Sequence, residues 1–202
     1  MILTVNETHP EPRKIDRIVQ VLKDGGVIAY PTDTVYGLGC DLMNKKAVER
    51  LRQIKGLSEQ HDLAFICCDL SDITRYAVVE NSQYRILKHH LPGPYCFVLA
   101  ATREVPKLLQ SKKKSVGIRV PKHPVTHAIC SALGSPLIST TAQAKGADYP
   151  EVDPFEIRDV FPGLDMVVDA GGGGMVPTTV VDLTSGLPQV IREGAGPIDA
   201  FA

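Results

Sequence analysis

Side chains able to hold a ligand recur near the ends of apolar runs along this 202-residue chain. Thr32, Asp33, Thr34 and Tyr36 fall between Pro31 and Gly37, which puts several hydroxyl donors and acceptors on a backbone with little freedom. Lys55 ends a basic helical stretch, with His61 in the loop beyond it. Arg119 closes one apolar run, Ser139-Thr140-Thr141 follows another, Thr178-Thr179 opens a further run after Pro177, and Arg192 ends the last. Hydroxyls combined with cations suit a polyanion or a small zwitterion, because charge-assisted hydrogen bonds are the strongest contacts such groups make. The segment 32–36 also fits an ordinary strand-to-turn connection, in which Asp33 and the threonines satisfy their own backbone. A serine hydrolase would need a G-x-S-x-G elbow, and none is present. Gly37-Leu38-Gly39 has Leu42 where a dinucleotide fingerprint requires its third glycine, and Gly171 to Gly174 runs into Met175-Val176 instead of Lys-Ser/Thr. Those four glycines read as a mobile turn whose bare N–H groups could approach an anion.

Hydrophobic spacing predicts the elements that position these residues. Short β-leaning runs lie at 2–5, 27–30, 63–68, 95–100, 116–120, 137–139, 166–169, 179–183 and 189–192. Ile15, Ile18, Val19 and Leu22 repeat at helical spacing before Gly25-Gly26. Asn44 is placed to cap a second helix with Ala47, Val48, Leu51 and Ile54 on its buried stripe and Lys45, Lys46, Arg50, Arg52 and Lys55 on or near the opposite side. Further helices are expected at 69–76, 84–90, 125–133 and 153–161. Strands alternate with helices over most of the chain, which argues an α/β fold. The last three strands follow one another with turns between them, so part of the sheet must be antiparallel. The chain 1–202 reads as one domain. In open α/β sheets ligands sit beyond the carboxyl ends of the strands, where most of the polar residues above are expected.

Composition narrows the classes. With 44% hydrophobic and 22% charged residues the chain is of ordinary globular type. No apolar run approaches the roughly 18 residues of a membrane span, and the first residues lack the build of a secretory signal, so a cytoplasmic location is expected. The five cysteines are odd in number and never spaced C-x-x-C, so no disulfide framework or zinc site is expected, and no metal site among the histidines. A net charge of -1 excludes a chain basic all over, though not a basic groove.

Seven segments together resemble the YrdC-like family, which includes the threonylcarbamoyl-adenylate synthases, and within it the YciO branch. They are Pro31 to Gly39, Ile54-Lys55-Gly56, Pro92-Gly93-Pro94, Val116 to Pro121 with His123-Pro124, Leu137-Ile138-Ser139, Pro177 to Asp182, and Ile191 to Gly194. The resemblance implies a twisted α/β sheet, mixed parallel and antiparallel, with flanking helices around a large basic cavity. It also implies a synthase that makes threonylcarbamoyl-AMP and pyrophosphate from L-threonine, bicarbonate and ATP taken with Mg2+. The product serves modification of certain tRNAs, and binding of double-stranded RNA or tRNA is a further implication. By the same resemblance Lys55, Arg119 and Ser139 are catalytic. Thr32, Lys55 and His61 fall on the threonine and carbamate side, Arg119 lies between the two sides, and Tyr36 is a further substrate contact. Ser139, Thr141, Thr178, Thr179 and Arg192 fall on the adenylate side.

The synthase pattern has Lys-x-Arg and Ser-x-Asn, where this chain has Lys55-Gly56-Leu57 and Ser139-Thr140-Thr141. A guanidinium that stabilises charge as pyrophosphate leaves is worth about one to two decades of rate, so the loss at Leu57 is expected to matter more than that at Thr141. The YciO branch is accordingly expected to have weak synthase activity. Two other readings compete: a non-catalytic module that binds double-stranded RNA or tRNA, its Lys112 to Lys114 run included, and a related enzyme for another amino or hydroxy acid.

Overall fold

The structure is a computed structural model, which describes residues 1–58, 63–109, 111 and 113–201. In chain order the elements are β1 (Ile2–Thr4), α1 (Pro12–Lys23), β2 (Ile28–Tyr30), β3 (Gly37–Asp41), α2 (Lys45–Lys55), β4 (Ala64–Ile66), α3 (Leu70–Tyr76), β5 (Ala77–Val78) and α4 (Asn81–His90). They continue with β6 (Tyr95–Ala101), β7 (Ser115–Arg119), α5 (Pro124–Leu133), β8 (Leu137–Thr141), α6 (Pro154–Val160), β9 (Met166–Asp169), β10 (Thr179–Asp182) and β11 (Gln189–Arg192). Single 3-10 turns cover Lys107–Leu109 and Asp199–Phe201. The described strands all join one sheet, ordered β1-β9-β2-β3-β8-β4-β7-β6-β10-β11, with β5 beside β6.

The expected mixture of directions is present but distributed differently. β10 and β11 are antiparallel, whereas β9 runs parallel to both β1 and β2. The antiparallel centre is β2-β3-β8-β4. Hydrophobic spacing predicts no strand between 30 and 63, whereas Gly37–Asp41 forms β3, antiparallel to β2. Its two glycines hide it from a propensity reading, because glycine is a poor strand former unless something must pass close to the backbone.

Local signals account for most helices. Asn44 Oδ1 accepts the Ala47 N–H at 3.1 Å, and Gly56 ends α2 at φ 66°. Asp153 caps α6 by accepting from Phe155 and Glu156. The basic face of α2 needs one correction. Arg52 follows Val48 by four residues, which brings it onto the buried stripe, and its Nη1 donates to the Ser58 carbonyl at 2.8 Å.

Strand alternation divides the interior in two. Ile138, Phe65, Ile118, Phe97 and Val181 form one continuous row across β8, β4, β7, β6 and β10, each fully buried, and pack with α2, α3, α4 and α6. On the opposite face, Ile28, Tyr30, Ile66, Leu137, Met166 and Val168 pack against Ile18 and Leu22 of α1 and Ile129 of α5. These two helices cover that face over only part of its width. The neighbouring row, Ser139-Ala64-Gly117-Val98-Asp182, lies on the same face, and Ser139, Ala64, Gly117 and Val98 line a cavity.

Candidate functional site

The cavity has a volume of about 340 Å3, within the range of small-molecule sites. Its floor is built at strand periodicity: Ala64 and Ile66 of β4, Cys96 and Val98 of β6, Ser115, Gly117 and Arg119 of β7, Ser139 and Thr141 of β8, and Val180 of β10. It therefore lies on one face of the sheet and not beyond the strand ends. Ser139 and Thr141 are correspondingly the end of β8 itself rather than a loop after it. Among the described residues the charged liners are two arginines, Arg119 and Arg192, with no carboxylate.

Arg119 is fixed from behind. Its Nη2 is shared among Thr32 Oγ1 at 2.9 Å, Asp33 Oδ1 at 2.5 Å and Thr34 Oγ1 at 2.8 Å. Only 9% of the Arg119 side chain and 11% of that of Asp33 remain exposed, so this ion pair is shielded from solvent screening. The other Asp33 oxygen accepts the Lys122 N–H at 3.0 Å. With Nη2 committed, Arg119 still has donors to offer, and its buried Nε has no partner among the described residues. Arg192 is held similarly: Nε and Nη2 donate to the Thr178 carbonyl at 3.2 and 2.9 Å, and Nη2 also approaches Thr178 Oγ1 at 3.2 Å. Cys96 lies close enough to feel both guanidiniums. Burial nevertheless pushes its thiol up to about 11, so it is neutral at ordinary pH and a poor nucleophile.

The predicted site residues divide by where their side chains are engaged. Arg119, Ser139, Thr141, Thr178, Arg192 and Tyr36 line the cavity. The Tyr36 hydroxyl, however, donates to the Gly171 carbonyl at 2.7 Å, and burial pushes its pKa up to about 12. Thr32 lies behind Arg119 and outside the lining, donating to the Val35 carbonyl at 2.6 Å. Thr179 is fully buried, donates to the Gly196 carbonyl at 2.6 Å, and accepts the Gly194 N–H at 3.0 Å, so it shapes the turn after β11. Its parity in β10 puts it on the face opposite Thr178 and Val180.

Lys55 also lies off the lining. Its ammonium donates to the Gln143 carbonyl and lies 5.9 Å from the Phe161 ring centroid, and desolvation lowers its pKa. Leu57 packs against the apolar core. His61 and Lys112 fall outside the described residues. Two of the glycines at 171–174 have a packing reason: a Cβ at Gly173 would come 2.7 Å from the Tyr36 ring, and one at Gly174 would come 2.2 Å from the Thr34 carbonyl oxygen.

Two of the noted polar side chains take a role the sequence does not predict, and one further side chain is not predicted at all. Asp33 and Thr34 stand in the polar segment already noted, but their role as acceptors for Arg119 depends on β7 arriving beside them. Tyr30 reads as an apolar strand residue, yet its hydroxyl donates to Ser139 Oγ at 2.5 Å from a fully buried position. A more open crevice of about 860 Å3 lies at the carboxyl ends of β4 and β7, lined by Cys68, Asp69, Val120, Lys122, His123 and His127 among others, and holds none of the predicted residues.

No helix among the described residues is long and apolar enough to cross a membrane. The family described as Sua5_yciO_yrdC, telomere recombination, matches residues 20–194. The chain is 41% identical to YciO of Escherichia coli over 98% of its own length and 97% of that protein's. It superimposes on the crystal structure of E. coli YciO with a TM-score of 0.96, covering 100% of this chain and 99% of that one. A threonylcarbamoyl-AMP synthase of Halorhodospira halophila is 35% identical over 90% of this chain and 97% of that protein. P. abyssi Sua5, solved with L-threonine, matches with a TM-score of 0.91 at 25% identity, covering 99% of this chain and 59% of that one. A mixed sheet carrying a hydroxyl- and arginine-lined cavity, with relatives matched along almost the whole chain, has one consequence: the chain belongs to the Sua5/YciO/YrdC family.

Proposed function

We propose that the cavity binds a nucleotide and L-threonine, and that the chain is an L-threonylcarbamoyladenylate synthase-type nucleotidyltransferase of low turnover. In this reading it joins ATP, L-threonine and bicarbonate to supply tRNA threonylcarbamoyladenosine modification in the cytoplasm. The observation that carries it is the pair Arg119 and Arg192, each anchored through some of its donors so that the remainder serve a shared cavity. Support comes from the H. halophila relative, named threonylcarbamoyl-AMP synthase, and from P. abyssi Sua5, solved with L-threonine.

The chemistry follows from those anchors. Attack of a carbamate oxygen on the α-phosphorus, with departure of pyrophosphate, builds charge on phosphoryl oxygens. Guanidiniums fixed beforehand stabilise that charge without reorganisation. Magnesium would arrive on the ATP phosphates, since no carboxylate lines the cavity among the described residues and no group of three His, Cys, Asp or Glu side chains there could hold a metal. Turnover is low in this reading chiefly because Thr141, which lines the cavity, lacks the two N–H donors of an asparagine, while position 57 packs on the core and brings no guanidinium to the cavity.

The test is to incubate purified protein with Mg·ATP, bicarbonate and L-threonine and follow pyrophosphate. Release that requires both bicarbonate and threonine is expected. Stabilisation by ATP should accompany it, about 2.7 kcal/mol at 100 times the dissociation constant. Nucleotide binding with no turnover at high enzyme concentration would leave the binding module, with double-stranded RNA or tRNA as its ligand, as the better reading.

A further inference from the structure

A serine hydroxyl has one hydrogen to give and two lone pairs to receive. At Ser139 most of this capacity is already assigned. Tyr30 donates its phenolic hydrogen to Ser139 Oγ at 2.5 Å, which fills one lone pair. The Ser139 hydrogen goes to the Leu38 carbonyl at 3.2 Å. One lone pair is left on a side chain that lines the cavity.

The fold is built to allow this contact. β3 lies between β2 and β8, with Gly37 opposite Tyr30 on one side and Gly39 opposite Ser139 on the other. The Tyr30 ring must therefore cross β3 to reach Ser139. A Cβ at Gly37 would lie 2.8 Å from Tyr30 Cζ and Oη and 3.0 Å from Ser139 Oγ, and one at Gly39 would lie 2.9 Å from Tyr30 Cε1. The contacts with Tyr30 at 2.8 and 2.9 Å are sterically excluded, so the pair Gly37 and Gly39 makes the slot through which the phenol reaches the serine. This gives the G-x-G pattern a role unrelated to cradling phosphate.

We propose that Tyr30 is a positioning residue that holds Ser139 as a hydrogen-bond acceptor toward the cavity, so that the ligand atom seated at Ser139 is a donor, a hydroxyl or ammonium group and not a phosphate or carboxylate oxygen. The inference rests on the cavity being a binding site, as read above, and adds a direction to it. Anionic groups go to the free donors of Arg119 and Arg192, and a hydroxyl or ammonium group goes to Ser139. For a nucleotide, the group at Ser139 is then a ribose hydroxyl; for threonine, it is the hydroxyl or the ammonium.

Calorimetry on the full chain tests this with two ligand series. One is AMP, 2′-deoxy-AMP, 3′-deoxy-AMP and adenosine; the other is L-threonine, 2-aminobutyrate and 3-hydroxybutyrate. Each is titrated into the parent, Ser139→Ala and Tyr30→Phe. Ser139→Ala should weaken at least one parent ligand about two- to tenfold, the worth of one hydrogen bond, and the loss should vanish for the analogue lacking the seated donor. Tyr30→Phe should weaken the same ligand and spare the same analogue, a pattern that general loosening of the fold would not produce. Should the Ser139→Ala loss persist in every donor-deleted analogue and disappear instead with adenosine, Ser139 serves the phosphate and the proposal falls. If Tyr30→Phe does not fold, the Ser139→Ala series decides alone. Binding with the wrong pattern removes only this proposal, whereas no binding of any of these compounds to the parent removes the binding-site reading with it.

Discussion

Asp33→Asn is the most direct probe of how the cavity is held. The substitution keeps the side-chain shape, removes the charge paired with Arg119, and leaves one oxygen to serve both the Arg119 Nη2 and the Lys122 N–H. Removing one partner of a buried pair costs about 3–5 kcal/mol, since the remaining charge stays desolvated. Here the amide keeps one acceptor, and Thr32 and Thr34 still receive the guanidinium. We therefore expect a loss at or below that lower bound, about 2–3 kcal/mol. In a chain of this size that corresponds to a fall in melting temperature of about 4–12 °C. Guanidinium unfolding followed by circular dichroism should show a lower midpoint with an unchanged slope. The double variant Asp33→Asn with Arg119→Met should cost less than the sum of the single changes, with a coupling of about 1–3 kcal/mol. A loss under about 0.5 kcal/mol is what an exposed pair would give, and that result, or strict additivity in the double variant, would refute the reasoning.

Three further outcomes are expected. Thr141→Asn should raise bicarbonate- and threonine-dependent pyrophosphate release more than Leu57→Arg, because Thr141 lines the cavity while Leu57 packs on the core; Leu57→Arg should instead cost about 1 kcal/mol in chemical denaturation. Burial lowers the His123 pKa from its ordinary 6.5, so the unfolded chain takes up the proton first and stability contributed at this site falls as pH drops through 6.5 toward the folded value, with no effect above. Denaturation midpoints between pH 8 and pH 5 should therefore fall less steeply in His123→Gln, and parallel profiles would exclude that cause. Gly37→Ala, whose Cβ would meet the Tyr30 phenol at 2.8 Å, should destabilise by about 1–3 kcal/mol in the same assay.

Much of the scaffold was legible because its signals are local. The stripe Ile15, Ile18, Val19, Leu22 yields α1, Asn44 caps α2, and Pro124 and Gly134 bracket α5. The β3 strand was missed because Gly37 and Gly39 make sense only once the Tyr30 ring lies across them. Arg119, Ser139, Thr141, Thr178 and Arg192 were legible as ligand-seeking types. Thr32, Thr179 and Lys55 are the same types, yet the structure commits them to the Val35, Gly196 and Gln143 carbonyls, away from the lining.

The sequence by itself determined the α/β class, nine of the eleven described strands, and the supply of hydroxyls and guanidiniums. It did so because strand and helix periods and caps are written over a few neighbouring residues. Only the tertiary structure decided that the cavity lies on a sheet face, and which hydrogen-bonding capacity in it is free. Ser139 is held by a tyrosine 109 residues earlier, and Arg119 by an aspartate 86 residues earlier. A polar group's remaining capacity is what its neighbours leave, and strand order and register across the sheet choose those neighbours.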